Sequence, residues 1–507
     1  RRIMSSLFYG LEIARTGLTV SQKAINLSGH NIANANTEGY TRQRLVISSI
    51  QPASVNVRLS SISKGSVGGG ATVSLVDQIR NDYLDRQFRN QNTRLGYWQV
   101  KADELEYIEM VVNELSEDTS ISSALADFFQ SLSDLAENDP SSKEIRTSVQ
   151  QNALKMTEAF NQYYEQLVEL QNLYNDKMAG TVARINTLLT NIADNNRQIF
   201  AYELSGEKAN ELRDTRNLMI DELSRLIDIS VTESEKGEII IKCGNTELVN
   251  HLAVTALKAQ PDPDYYDFYR IYPSGMSEEL KFSGGELKAY QDLRDGDSAD
   301  NMGIPRIIEN LNTLARSIAK EFNDIHKTGY TMPNGEEDSR NGVFLFAVPK
   351  AVDEFGNEYE DYSAITAGNF TLSAEVLESV FNIAASDQKI DFSAGNTQQG
   401  NNRIALAMVT LASRTDLPVV GNFEEFLKST MVEVGTESAS CKSKAESQQT
   451  IVENVQDRRQ SISGVSLDEE MVQLISSQHA YSAAARMMTA VDEALDVLIN
   501  RTGRVGL

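Results

Sequence analysis

The residues able to support acid–base, nucleophilic or metal chemistry are few and far apart in this 507-residue chain. They are four histidines and two cysteines, namely His30, His251, His326, His479, Cys243 and Cys441. No two histidines have the His-Glu-x-x-His spacing of a zinc protease. Neither cysteine belongs to a Cys-x-x-Cys pair. The sequence therefore predicts no metal site, no cofactor site and no catalytic residues.

Three segments resemble parts of ligand sites but lack the residues that complete them. Asp295-Gly296-Asp297 resembles part of a calcium loop. If Asp292 is position one of that loop, position twelve is Gly303, where a calcium loop has a glutamate. The glycines at 68–70 are followed by no Gly-Lys-Ser/Thr, so they predict a turn. An enzyme with its site near residues 265–273 stays an alternative, although no positioned acid, base or nucleophile accompanies this Pro- and Tyr-rich region.

Charge and hydropathy exclude several classes of partner. With 47 basic and 72 acidic residues the net charge is −25, which would repel nucleic acid and anionic membranes. The sequence has no run of eighteen apolar residues that would span a bilayer. Its basic start is followed by Glu12, Arg15 and Gln22, which interrupt the apolar core of a secretory signal. We therefore expect either a cytoplasmic protein or export by a route that reads no cleavable signal.

Proline and glycine mark the elements that must position any functional residues. Because an internal proline costs a helix about 3 kcal/mol, proline-free spans predict long helices. The predicted helices run over Leu75–Leu135, from an Asp139 N-cap to about Leu204, over Ala209–Ile227 and Ile304–Ile325, and through most of the last hundred residues. Between them, β-branched residues and turn glycines at 229–290 predict a small β-rich module.

Both ends of the chain carry apolar residues at alternating steps of three and four. The N-terminal stripe consists of Leu7, Leu11, Ala14, Leu18, Ser21, Ile25, Ser28 and Ile32. The C-terminal stripe consists of Tyr481, Ala484, Met488, Val491, Leu495 and Leu498. Such heptad patterns place one apolar seam along each helix. A capping box at Ser466–Glu469 marks the start of the last helix.

The stripes are too narrow to stabilise the end helices alone. Burying six stripe residues contributes roughly 9–18 kcal/mol at ~1.5–3 kcal/mol each. Fixing the backbone of the last helix costs about 35–70 kcal/mol at ~1–2 kcal/mol per residue. We therefore expect both ends to be weakly ordered in the free monomer and to become firm helices when several copies pack side by side.

Two motifs at opposite ends resemble the axial proteins of the bacterial flagellum. The first motif is Asn31-Ile32-Ala33-Asn34-Ala35-Asn36-Thr37-Glu38-Gly39-Tyr40-Thr41-Arg42-Gln43. The second begins Ser463-Gly464-Val465-Ser466-Leu467-Asp468-Glu469-Glu470-Met471 and continues through Gln478 and Tyr481 to Ala483–Arg486. Together they are most similar to the hook-associated proteins of the hook–filament junction, which have a helical middle. Only about seventy residues separate Tyr330 from Asn401, so the large outer β domain of some relatives is predicted to be small or missing.

The resemblance implies a mainly α fold with inserted β structure. Terminal helices form a coiled-coil inner domain, and a long-helix bundle with a small β-rich module forms the outer part. The expected division is 1–60 with 455–507 as the tube-forming inner domain, 61–228 with 291–330 and 400–454 as the long-helix core, 229–290 as the β-rich insertion, and 331–399 as a short mixed segment in place of a larger domain.

The resemblance also implies a structural, non-enzymatic role at the hook–filament junction. The expected partners are further copies of the chain, hook protein, the next hook-associated junction protein and an export chaperone that binds the C-terminal region. The chain would be cytoplasmic before type III export and extracellular afterwards. The expected assembly residues are Leu7, Leu11, Ala14, Leu18, Ile25, Ile32, Asn34, Asn36, Thr37, Gly39, Tyr40, Leu467, Met471, Leu474, Tyr481, Ala484, Met488, Val491, Leu495 and Leu498. A hook or distal-rod protein and a non-flagellar coiled-coil scaffold remain alternatives.

Overall fold

The structure is a computed structural model that describes residues 2–50, 68–114, 120–234, 237–299, 301–334, 338–352, 358–391 and 400–497. The helices are α1 (Arg2–Ala33), α2 (Asp82–Glu114), α3 (Ile121–Glu137), α4 (Lys143–Glu203), α5 (Asn210–Leu226), α6 (Glu286–Asp295), α7 (Ile304–His326), α8 (Ala374–Glu378), α9 (Arg403–Thr410), α10 (Phe423–Ser463) and α11 (Leu467–Asp496). The strands are β1 (Gln43–Ser49), β2 (Ala71–Gln78), β3 (Ser230–Glu233), β4 (Ile239–Cys243), β5 (Thr246–Asn250), β6 (Ala253–Val254), β7 (Leu257–Asp262), β8 (Phe268–Pro273), β9 (Lys350–Val352) and β10 (Glu358–Glu360). This mainly helical fold with small antiparallel sheets confirms the predicted class.

The 61-residue helix α4 is the central element of the body. It occupies the proline-free span predicted from the sequence and ends close to the expected Leu204. Its start differs from the prediction, because Ser142 caps it by accepting a hydrogen bond from the Ile145 N–H at 3.4 Å. Asp139 instead accepts from the Ser141 backbone at 2.9 Å and closes the preceding turn. The aspartate and the serine are both good N-cap residues, so propensity alone does not separate them.

The predicted helix over Leu75–Leu135 is wrong at its beginning. Leu75 lies in β2, which pairs antiparallel with β1 and shares a register irregularity at Val46. Helix begins at Asp82 and, within the described residues, is divided into α2 and α3. At Gly96, α2 lies close to α5, since a Cβ there would overlap the Arg225 carbonyl oxygen.

Most of the body is one hydrophobic core between α2, α3, α4, α7, α9 and α10. Its centre is a group of phenylalanines whose ring centroids lie 4.8–6.2 Å apart, including Phe128, Phe322, Phe346 and Phe370. Aromatic pairs at such distances add about 0.5–1.5 kcal/mol beyond the area that they bury. The core therefore packs against the N-terminal half of α4, from Val149 to Tyr174.

The β-rich module over 229–290 is held against α4 by two asparagines. Its strands form a four-stranded sheet in the order β3-β4-β5-β6 and a β7-β8 hairpin, both antiparallel. Asn186 accepts from the Leu257 N–H at 2.7 Å and donates to the Leu257 carbonyl at 2.8 Å. Asn175 accepts from the Tyr269 N–H at 2.8 Å. An amide side chain can satisfy an N–H and a C=O together, which explains asparagine at the half-buried position 186.

The segment between α7 and α9 is ordered by two buried basic side chains. Arg146 is 1% exposed and donates to the Pro140 and Ile383 carbonyls. His326 is fully buried, with Nδ1 2.7 Å from the Val343 carbonyl and Nε2 accepting from the Ala384 N–H at 2.8 Å. Burial lowers the pKa of His326 to about 4. The imidazole is therefore neutral at pH 7 and acts as a donor and an acceptor between two loops.

The free energy of unfolding should fall between pH 6.5 and pH 4 because of His326. Its folded pKa lies below the ordinary value, so its stabilising effect is complete above about pH 6.5 and is lost as the pH falls through about 4. The loss at low pH is about 3 kcal/mol. Urea unfolding gives the free energy of unfolding at each pH. We expect this free energy to change less steeply with pH for His326→Gln than for the wild-type chain. His479→Gln, which removes an exposed imidazole, should keep the wild-type slope, and an unchanged slope for His326→Gln would contradict the assignment.

Candidate assembly site at the chain ends

The two terminal helices pack against each other within one chain and run antiparallel. A Cβ at Gly10 would lie 3.6 Å from Val491 Cγ2, and one at Gly17 would lie 3.6 Å from Ala484 Cβ. A step of seven along α1 is thus matched by a step of seven backwards along α11. The expectation that the ends take shape only beside other copies therefore needs revision, because part of both seams is already used inside the monomer.

Small residues dominate the contact between α1 and α11. On α1 the fully buried residues of the stripe are Ala14, Ser21 and Ser28, whereas Leu11, Leu18, Ile25 and Ile32 are half-buried. On α11, Leu495 is buried and Leu474, Ala484, Met488 and Val491 are half-buried. The side chain of Leu7 and all of Leu498 lie outside the described residues. The structure thus brings together most, but not all, of the predicted seam.

Three predicted assembly residues on α11 remain exposed in the monomer. Leu467, Met471 and Tyr481 are 50%, 56% and 38% exposed, respectively. With about 100° between successive helix residues, Met471 points roughly 120° away from the buried Ser477. Val472 and Ile475, which the sequence pattern did not single out, are exposed on the same side.

The loop that follows α1 is organised by Asn31, whose side chain is almost fully buried. Its amide donates to the Gln43 carbonyl at 3.0 Å and accepts from the Gln43 N–H at 3.2 Å. The Tyr40 hydroxyl donates to the same Asn31 oxygen at 2.7 Å. Burial and the nearby Glu211 raise the pKa of Tyr40, so the phenol stays protonated and able to donate. Asn31 thus joins the end of α1 to the start of β1, twelve positions further along the chain.

The other predicted loop residues have distinct positions. Asn34 donates to the His30 carbonyl at 3.0 Å, and the Thr37 hydroxyl donates to Asn34 at 3.3 Å. Asn36 is exposed. Gly39 has φ +77°, and a Cβ there would lie 2.4 Å from Leu218 Cδ1 on α5. These contacts show that the motif connects α1 to the body.

Thr41 joins the loop to α5 through Asp214. The backbone N–H and the hydroxyl of Thr41 donate to the two Asp214 oxygens at 3.0 and 2.6 Å. Burial raises the pKa of Asp214, although Thr41 and Arg80 both favour its charged form. Arg80, 3.4 Å from Asp214, also pairs with Asp85 at 3.1 Å and so extends the contact to α2.

Arg42 joins the loop to the last helix. Its guanidinium donates to Glu470 at 2.7 Å and to Glu469 at 2.6 Å, and its N–H donates to the Ser463 carbonyl at 2.8 Å. Ser466 caps α11 as predicted, accepting from the Glu469 N–H at 3.5 Å. The Glu469 carboxylate does not complete the predicted capping box, because it binds Arg42. The joint therefore connects α1, the body and α11.

A polar cleft of about 650 Å³ lies in this joint, between the loop, α5 and the α10–α11 connection. Arg459 on α10 crosses its wall to Asp221 at 2.6 Å. Asp214, Arg80 and Arg459 were not predicted, because each has a partner more than 100 positions away that no local pattern indicates. In the part of the chain that the structure describes, no group of three or more His, Cys, Asp or Glu side chains could hold a metal ion. Among the same residues, no helix is long and apolar enough to cross a membrane.

Three family matches assign this chain, with its end helices paired beside a long-helix body, to the structural proteins of the flagellum. Residues 11–41 match the flagella basal body rod protein family, and residues 456–501 match the C-terminal family of the flagellar basal body rod proteins. Residues 105–341 match the flagellar hook-associated protein FlgK helical domain.

Relatives that align along the whole chain identify one family within the flagellar proteins. The chain is 31% identical over 523 residues to flagellar hook-associated protein 1 of Bacillus subtilis, covering 99% of both chains. It is 25% identical to the Escherichia coli protein of the same name, covering 98% of this chain and 100% of that one. A solved structure of the hook junction protein from Burkholderia pseudomallei has the same fold, with a TM-score of 0.61, 15% identity and coverage of 74% of this chain and 100% of that chain. The chain belongs to the flagellar hook-associated protein 1 family.

Replacing Gly39 by alanine should loosen the joint. A left-handed backbone costs alanine about 1–2 kcal/mol, and the added methyl would also displace Leu218. We expect faster proteolysis within residues 34–42 at unchanged helix content. Gly29→Ala is the matched control, because Gly29 lies inside α1 with open space around it. The control variant should instead be more stable than the wild-type chain by about 0.5–1 kcal/mol. Equal rates of proteolysis in the two variants would contradict the role of Gly39.

Replacing Asn31 by alanine should expose the backbone N–H of Gln43 to hydrogen exchange with solvent. Each polar group left unpaired in a buried site costs about 1–3 kcal/mol. We expect hydrogen exchange at the Gln43 N–H to accelerate by about tenfold or more, at roughly 1.4 kcal/mol per factor of ten. Asn26→Ala, on the exposed side of α1, should leave that exchange rate unchanged. Full protection of Gln43 in Asn31→Ala would show that the loop is held by other contacts.

Proposed function

We propose that this chain is a structural subunit of the bacterial flagellum that joins the hook to the filament as a mechanical adaptor. The observation that carries the proposal is the paired terminal helices, clamped to the body at one joint and still exposing apolar residues outward. Membership of the hook-associated protein 1 family supports the same position in the flagellum.

The two sides of the terminal pair, α1 and α11, would have different roles in assembly. The inner domain, 1–60 with 455–507, would polymerise through residues that the monomer leaves exposed or half-exposed, such as Met471 and Tyr481. The long-helix core and the module at 229–290 would lie at larger radius, with 331–399 as the reduced outer segment. Charged hydrogen bonds at the joint would then transmit force between the tube and the body.

The proposed partners and pathway are those of a junction protein. We propose that the chain contacts further copies of itself, hook protein and the next hook-associated junction protein. Before assembly it would be cytoplasmic, held by an export chaperone at its C-terminal region and exported by the type III apparatus. After assembly it would be extracellular, at the hook–filament junction.

A hook or distal-rod subunit is the alternative within the flagellum. The short segment between α7 and α9 favours the junction, because it leaves no room for a large β middle. An electron-microscopy label on the chain separates the two positions. A label confined to the point where hook meets filament supports the junction position, whereas a label along the hook or rod supports the alternative. A non-flagellar scaffold would instead form stable small oligomers that never bind hooks.

A chain lacking residues 467–507 should fail to support filament growth. Isolated hooks without junction protein are incubated with the purified chain, then with the next hook-associated junction protein and finally with filament subunits, which removes export from the comparison. The full-length chain should restore filaments and the truncated chain should not, because it lacks half of the terminal pair. Val432→Ser, exposed on α10, serves as a control and should behave like the full-length chain. Equal filament numbers with the truncated chain would contradict the proposal.

A further inference from the structure

We propose that neighbouring copies dock α11 of one copy into a groove beside α1 of the next, so that the repeated contact is head-to-tail. The inference rests on the proposed function and specifies which surfaces meet. The first surface is the α11 ridge, defined as Leu467, Met471, Val472 and Ile475, which are 49–68% exposed. Such a row on one side of a helix is a surface that a partner can cover.

The second surface is the α1 groove, a depression of about 470 Å³ between α1, the β1–β2 hairpin and the α4–α5 turn. Its apolar lining residues, which come from α1, the hairpin and the end of α4, are Leu27, Leu45, Val73, Leu75, Val76 and Tyr202. Asn26 lies at its edge on the exposed side of α1. The groove has room for several side chains of a helix ridge.

The ridge and the groove lie at the same height on opposite outer sides of the terminal pair. Extending the register that places Gly17 beside Ala484 puts Asn26 level with Ile475. Asn26 lies about 160° around α1 from the buried Ser28, and Ile475 lies about 160° around α11 from the buried Ser477. The two surfaces therefore cannot meet within one chain, but side-by-side copies at similar heights bring them together. Such a contact between different surfaces produces rings or helical tubes.

Charge favours this pairing over ridge against ridge. α11 carries six carboxylates, Asp468, Glu469, Glu470, Asp492, Glu493 and Asp496, against one basic residue, Arg486. α1 carries Arg2, Arg15 and Lys23 against Glu12. Because Arg42 pairs with Glu469 and Glu470, α11 together with this partner has a net charge of −4. Bringing it to α1 of the next copy opposes this charge with a net +2 helix and with a groove whose Lys23 and Lys208 balance Glu207 and Glu211. Two α11 helices in contact would instead bring like charges together, which disfavours that arrangement.

Cysteine cross-linking in assembled flagella tests the contact. Cells carry Asn26→Cys with Ile475→Cys as their only copy, and their flagella are treated with a short bismaleimide. Within one chain the two positions face outward across two helices of about 10–12 Å diameter each, so the linker joins only different copies. We expect covalent dimers and larger species on a denaturing gel. The native Cys243 and Cys441 are buried, so the wild-type chain should stay monomeric.

The controls separate this inference from the proposed function. Asn26→Cys alone, Ile475→Cys alone, and Asn26→Cys with Val432→Cys on α10 should give no ladder. A dimer from Ile475→Cys alone would mean that ridge meets ridge and would overturn the inference. The inference would also be overturned if Asn26→Cys with Ile475→Cys gave no cross-linked dimer on flagella that bear normal filaments. That outcome would leave the proposed function intact. Absence of the chain from every hook–filament joint would overturn both.

Discussion

The ion pairs of Arg42 with the first turn of α11 are the contact on which the arrangement of the chain ends depends. Glu470 is almost fully buried, with a side-chain exposure of 4%. A buried carboxylate without a partner is strongly destabilising, commonly by about 3–5 kcal/mol. Arg42 supplies that partner and also binds Glu469 and the Ser463 carbonyl. One residue just after α1 therefore fixes where α11 begins, and the two helices run antiparallel from that point.

The joint and the helix seam have complementary physical roles. Small residues such as Gly10 and Gly17 let α1 approach α11 closely, but apolar packing is not directional. The hydrogen bonds from Thr41 to Asp214 and from Arg42 to its carboxylates have fixed geometry and charge assistance. The joint therefore determines orientation while the seam determines distance. A subunit that transmits bending and torque between two tubes needs both properties.

Local sequence signals predicted single elements better than the contacts between them. A proline-free span located α4, the helical pattern over Ile304–Ile325 located α7, and Ser466 correctly marked the start of α11. Leu75 was assigned to a helix because an apolar residue in a half-buried strand also fits a helical period over a short window. Heptad spacing identified a face of α11 but not which neighbour covers it. The bond from Thr41 to Asp214 joins positions 173 residues apart, and composition or spacing carries no trace of it.

The distribution of small and large residues explains why the terminal pair is incomplete as a monomer. A self-sufficient coiled coil buries its largest apolar side chains between its helices. In this chain small residues occupy much of that seam, whereas Met471, Val472 and Ile475 lie outside it. Burying a large apolar side chain contributes about 1.5–3 kcal/mol, so a substantial part of the hydrophobic stabilisation available to α11 is left for a partner. Because every copy offers the same unburied surface, growth of a tube adds this stabilisation once per subunit, while the clamped joint keeps the surface in position before assembly.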